Sequence, residues 1–138
     1  MKKKIGIHWF RYDLRTVDNP SLNHLSKNYD NVLGVYIFDE VNSDPKLGSA
    51  SRVWLNYSLE YLKKQLNENL IILKGNPREC FDELIDFFDV QEISWNRCYE
   101  PWIIKRDKSL KVHLNKKIKV NSFNGSLLWE PWEILKND

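Results

Sequence analysis

Two hydrophobic rhythms alternate along this chain. Short continuous apolar runs are followed by longer stretches in which apolar residues return every third or fourth position. The first rhythm predicts buried strands and the second predicts helices with one apolar face. Lys4–Phe10 reads as a strand. Asn19-Pro20 then opens a helix, with Asn19 as cap, Pro20 at the first helical position and Leu22 and Leu25 on the apolar side. Val32–Phe38 is a second strand, ended by Asp39-Glu40 and a polar loop with Asp44-Pro45 and Gly48. Ser49 or Ser51 can cap a long helix whose Leu55, Leu59, Leu62 and Leu66 form a stripe, widened by Trp54, Tyr57 and Tyr61. Leu70–Leu73 is a third strand. Gly75-Asn76-Pro77 turns into a helix with Phe81, Leu84, Ile85 and Phe88 on one side. Gln91–Trp95 is a fourth strand, Pro101 starts a helix that can pack through Ile103, Ile104, Leu110 and Leu114, and Ile118–Phe123 is a fifth strand.

Strands alternating with helices imply an α/β fold: a doubly wound, five-stranded parallel sheet with helices on both faces. At 138 residues the chain is expected to be a single domain, 1–138. Such sheets bind ligands outside the carboxyl ends of their strands. The polar bursts Arg11–Arg15, Asp39-Glu40, "NRCYEP" and "NGSLLWEP" follow strands one, two, four and five, so all fall on that edge.

Composition narrows the chemistry. A net charge of +2 is too small to argue by itself for a nucleic-acid partner. The Lys2-Lys3-Lys4 start leads into a strand with polar neighbours rather than a signal peptide, and no apolar run is long enough to span a membrane. Cys80 and Cys98 make no disulfide framework, and no His/Cys cluster has metal-ligand spacing, so a reduced, cytoplasmic setting is expected. No G-x-G-x-x-G, P-loop or G-x-S-x-G motif is present, which argues against an ordinary dinucleotide, triphosphate or hydrolase site. His8 is expected to be a hydrogen-bonded core residue. Cys80 and Cys98 are expected to be structural. Arg11, Asp13 and Arg15 could grip an anion, or could form an ion-pair network with a neighbouring loop, for which Arg106-Asp107 is the candidate. The rings Trp9, Tyr12, Trp95, Tyr99, Trp102, Trp129 and Trp132 near strand ends could sandwich a planar heterocycle, seal an interface or serve as core.

The stretch "WFRYDLRTVDNPSL" resembles the N-terminal signature of the DNA photolyase/cryptochrome family. Five further motifs follow in order: "VYIFDE", "GSASRVWLNYSLEYL", "LIILKGNPRECFDEL", "WNRCYEPWIIKRDKSLK" and "SFNGSLLWEPWEI". Together they cover essentially the whole chain. The last two are closest in wording to a bacterial photolyase branch related to plant cryptochromes.

The resemblance implies a Rossmann-like N-terminal domain that in many members carries a light-harvesting antenna: methenyltetrahydrofolate, a deazaflavin or a flavin such as FMN. In the family, a C-terminal helical domain binds FAD, extrudes a pyrimidine dimer from damaged DNA and splits it with blue light. The chain is expected to lack that domain, to meet damaged DNA only through it, and to repair nothing alone. Its partner is then that C-terminal domain, with a homodimer through the exposed interdomain face, near Trp129 and Trp132, as a further expectation. The edge residues expected to contact the antenna are Phe10, Arg11, Asp39, Glu40, Arg52, Asn96, Tyr99, Glu100 and Trp102. One departure concerns folate: where one branch has Asn-Glu shortly after the Tyr-Glu, this chain has Trp102-Ile103. That replaces hydrogen-bonding groups with an aromatic and an aliphatic and puts that particular folate site in doubt. A stand-alone nucleotide-binding module and a cryptochrome-like signalling or interaction domain are the alternatives.

Overall fold

A computed structural model describes residues 4–11, 13–38 and 49–124, with the side chains of 49–52 outside that description. The elements run β1 (Lys4–Phe10), α1 (Pro20–Asn28), β2 (Asn31–Phe38), α2 (Ser49–Gln65), β3 (Leu70–Lys74), α3 (Pro77–Phe87), β4 (Asp89–Asn96), α4 (Pro101–Leu114) and β5 (Lys119–Phe123). All four strand pairings are parallel, and the sheet order is β3-β2-β1-β4-β5. The expected doubly wound sheet is therefore present.

Alternation along β1 assigns its two faces. Ile5, Ile7 and Trp9 join Val35, Ile37, Ile93 and Trp95 in a core covered by Phe81 and Leu84 of α3 and Leu110 and Leu114 of α4. Phe10, on the other face, packs with Leu22 of α1, with Leu55, Leu59 and Leu62 of α2 and with Leu70. Local chemistry starts the helices where expected. The Asn19 side chain accepts from Leu22 N and the Asn76 side chain from Arg78 N, and each is followed by proline. Gly75 has φ +136°, a conformation glycine adopts freely, and its N–H donates to Phe38 O at 2.9 Å. Gly34 permits close packing: a Cβ there would lie 2.7 Å from Phe10 Cε2.

Three expectations change. Trp54, Tyr57 and Tyr61 do not widen the buried stripe of α2; they are 71%, 69% and 66% exposed. At 3.6 residues per turn they lie on a flank that the sheet does not reach, and Leu55, Leu59 and Leu62, with the partly buried Leu66, fill the contact. Ile104 likewise faces out of α4 while Ile103 is buried. Strand β4 runs from Asp89 to Asn96, longer than Gln91–Trp95, because Asp89 and Val90 pair with Lys4 and Ile5 of β1 and Asn96 pairs with Phe123 of β5. Among the described residues no helix is long and apolar enough to cross a membrane.

Candidate functional site

Strands β1 and β4 are neighbours, yet their following helices, α1 and α4, pack on opposite faces of the sheet. This is the topological switch point, where doubly wound sheets open a crevice for ligands. Here protein side chains fill it. Arg11, at the end of β1, donates from Nη1 to Asp107 Oδ2 on α4 and from Nη2 to the Asn96 carbonyl at the end of β4. Its guanidinium lies over the rings of Trp9 (4.8 Å) and Trp95 (5.8 Å). Arg106 continues the stack, 5.0 Å from the Trp9 ring and 5.1 Å from the Trp102 ring, and donates to Asp107 Oδ1 at 3.3 Å. A ladder of alternating rings and guanidinium groups therefore climbs from the core through Trp95, Arg11, Trp9 and Arg106 to Trp102. The Trp102 indole N–H donates to Glu100 Oε2 at 3.1 Å. Of the two earlier options for Arg11, the ion-pair network with Arg106-Asp107 is the one the chain adopts.

Beside it a second network ties the exit of β1 to the start of α1. Asp13 Oδ2 accepts from Asn96 Nδ2 (2.7 Å) and His8 Nε2 (3.0 Å), while Asp13 Oδ1 accepts from Arg11 N (2.9 Å). Burial works to raise the Asp13 pKa, but the His8 hydrogen bond and charge, with the Arg11 and Asn96 donors, hold it below the ordinary carboxylate value. His8 Nδ1 lies 2.7 Å from Ser21 Oγ, itself 2.7 Å from Ser94 Oγ. Serine, histidine and aspartate thus follow one another as in a hydrolytic triad. His8, Ser21 and Ser94 are 0% exposed, and the Ser21 hydroxyl is already engaged on two sides, so no substrate carbonyl can approach. The arrangement is a structural bolt, and His8 is the hydrogen-bonded core histidine expected.

Under the middle of α1, Glu92 is 1% exposed. It accepts from His24 Nε2 (2.7 Å), Tyr29 OH (3.0 Å) and Asn121 Nδ2 (2.9 Å). Sequence reasoning missed this residue because its donors come from α1 and β5, far along the chain. Among the described residues no group of His, Cys, Asp and Glu could hold a metal ion. Burial pushes the Cys98 thiol up, the nearby Arg11 opposing without cancelling it, so Cys98 is no activated thiolate.

The expected contact residues therefore separate. Phe10 is fully buried beneath α2, on the face opposite Trp9. Arg11 and Asn96, 9% and 5% exposed, are consumed by the switch-point networks. Burial and existing partners occupy these three, and they brace the edge from behind. Tyr99, Glu100 and Trp102 lie together on the rim where β4 passes into α4, with Trp102 half-buried and Glu100 exposed. Asp39, Glu40, Tyr12, Trp129 and Trp132 lie outside the described residues, as does the side chain of Arg52.

Residues 6–138 match the family model for DNA photolyase. The chain is 36% identical over 129 residues to the deoxyribodipyrimidine photo-lyase of Agrobacterium fabrum, covering 91% of this chain and 26% of that protein. It is 36% identical over 140 residues to cryptochrome-2 of Arabidopsis thaliana, covering 97% of this chain and 22% of that one. The crystal structure of a bacterial class III photolyase from Agrobacterium tumefaciens superposes with a TM-score of 0.86 at 34% identity, over 96% of this chain and 28% of that one. The chain thus spans about a quarter of the length of these relatives.

Proposed function

The chain belongs to the DNA photolyase family, and from that premise we propose that it is an antenna-chromophore domain serving a light-driven pyrimidine-dimer lyase. The FAD and the lesion would be held by a C-terminal helical domain, with which this domain would work. The observation that carries this reading is the Trp102–Arg106 pair at the outer end of the ring and guanidinium ladder. A planar, conjugated heterocycle needs a flat stacking partner and a polar rim to orient it. Trp102 offers the first; Glu100 and Tyr99 stand beside it for the second.

Among the described residues the rim is the place that suits such a group. Inside, Trp9 and Trp95 are 2% exposed and Arg11 is committed to Asp107 and the Asn96 carbonyl. When bound, the chromophore would absorb near-ultraviolet or blue light and pass the excitation on. This chain's residues would bind and orient its ring and keep water from one face. The Trp102-Ile103 pair supplies stacking where one family branch supplies an amide and a carboxylate, so methenyltetrahydrofolate bound in that manner is less well served than FMN or a deazaflavin.

The test is a titration of the purified chain with methenyltetrahydrofolate, a deazaflavin and FMN, followed by absorption in the near-ultraviolet and blue. A shifted, stoichiometric band that Trp102→Ala abolishes, with the fold intact by circular dichroism, is expected. No shifted band with any of the three would overturn the reading that this chain binds an antenna by itself.

A further inference from the structure

Charge is unevenly distributed. Residues 101–120 hold seven of the chain's 21 Lys and Arg and only one of its 19 Asp and Glu, so the rest of the chain is net acidic while α4 and the turn after it are strongly basic. Several of these cations are committed. Arg106 contacts Asp107, Lys117 contacts Asp82 at 3.2 Å, and Lys119 lies 3.9 Å from Glu92. Among the described residues Lys105, Lys108, Lys111 and Lys116 have no acidic partner within salt-bridge distance; three are exposed and Lys111 is half-buried.

Helical geometry gathers them. At 100° per residue Lys105, Lys108 and Lys111 fall within one third of the α4 surface, outside the arc of the buried Ile103, Asp107, Leu110 and Leu114. Lys116 extends the row past the helix end. Asp82 of the adjoining helix α3 is occupied by His113 at 3.0 Å and by Lys117. Helix α4 packs against β5, the last strand of the sheet, so no further strand or helix flanks the row on that side among the described residues.

We infer that the Lys105–Lys108–Lys111–Lys116 row is a binding ridge for the phosphodiester backbone of nucleic acid, read without regard to sequence. Four mobile ammonium groups in a line, with no built pocket, suit a repeating point charge rather than a single anion. The interspersed apolar residues, Ile104 and Val112, are too few and too small to bury in a lipid interface, which separates this ridge from an amphipathic membrane helix. The inference stands on charge placement alone and is independent of the antenna reading.

Fluorescence anisotropy of the full chain with a short, undamaged duplex of mixed sequence tests it. Neutralising four phosphates predicts a slope of log K against log salt of about −3 to −4, so affinity should fall roughly 100-fold between about 50 and 200 mM KCl. The variant Lys105→Gln/Lys108→Gln/Lys111→Gln/Lys116→Gln should lose that dependence, and Gln keeps helix propensity near that of Lys. A charge-matched control, Lys4→Gln/Lys27→Gln/Lys63→Gln/Lys64→Gln, should keep it. Absence of salt-dependent binding, or equal loss in the control, would overturn the ridge. Equal salt-dependent binding to vesicles of phosphatidylserine would overturn the assignment to nucleic acid.

Discussion

Removing Asp107 should unlock the switch point. Its carboxylate receives Arg11 Nη1 and also faces Arg106, and the Arg11 and Asp107 side chains are only 7% and 12% exposed. In Asp107→Ala, Arg11 would remain buried between β1, β4 and two tryptophan rings with its charge uncompensated. Arg11 Nε already has no hydrogen-bond partner, and the neutral Asn96 carbonyl at Nη2 would be the guanidinium's remaining acceptor. Breaking a buried pair from one side costs about 3–5 kcal/mol, a large part of the roughly 5–15 kcal/mol that a domain of this kind commands. Urea unfolding followed by tryptophan fluorescence reads the loss directly, as a lower midpoint at an unchanged slope. The pair's own worth is a different quantity, which the double variant Arg11→Met/Asp107→Leu measures. Methionine keeps an apolar stem over Trp9 and Trp95, so the double variant should recover most of the loss suffered by Asp107→Ala. A cost below about 1 kcal/mol for Asp107→Ala, the range of an exposed pair, would refute the reasoning. So would a double variant whose loss equals the sum of the two single ones, because the residues would then act independently.

Two other outcomes follow from the packing. Burial, then the hydrogen bond and charge of Glu92, push the Tyr29 pKa up to about 12 from 10.0. A raised folded pKa stabilises the fold below the unfolded value, and that contribution is lost as pH rises from about 10 to 12; an alkaline titration of tyrosinate absorbance should contain one late component, absent in Tyr29→Phe, and its absence in the wild type would refute the contact. Gly34→Ala would press a methyl group to 2.7 Å from Phe10 Cε2 and 3.0 Å from Leu66 Cδ1, and should destabilise by about 1–3 kcal/mol in the same urea assay; a neutral result would mean that the α2 face of the sheet is loosely packed.

What could be read in the sequence was what neighbouring residues decide. The Asn19-Pro20 and Asn76-Pro77 helix starts are local signals, and both helices begin there. The apolar runs that became β1 and β2 owe their character to burial on both faces, which the sequence displays directly. Glu92 is the counter-example. Read alone, a glutamate in a strand means solvent; its burial here rests on His24, Tyr29 and Asn121, 68, 63 and 29 positions away. The α2 aromatics failed differently, since a helical period fixes relative angles and not how wide a stripe the sheet will cover. At the candidate site the pairing of Arg11 with Asp107 could be named as one of two options, because both are charged residues at the same sheet edge. That Phe10 faces α2 instead of the edge follows from strand parity, and parity is fixed only once Trp9 is known to pack against Phe81 and Trp95.

The polar floor beneath α1 has a consequence for how this domain can change over generations. A greasy helix seat tolerates substitutions one at a time, since neighbouring methyl groups can shuffle to fill a gap. The seat here is written in matched donors and acceptors: Glu92 with His24, Tyr29 and Asn121, and Asn96 with Asp13, Asn19 and Ser21. Altering one letter strands its counterparts, so the intermediate is worse than either end point. The exposed flank of α2 can drift freely, whereas the underside of α1 is inherited as a single word, to be kept whole or replaced whole.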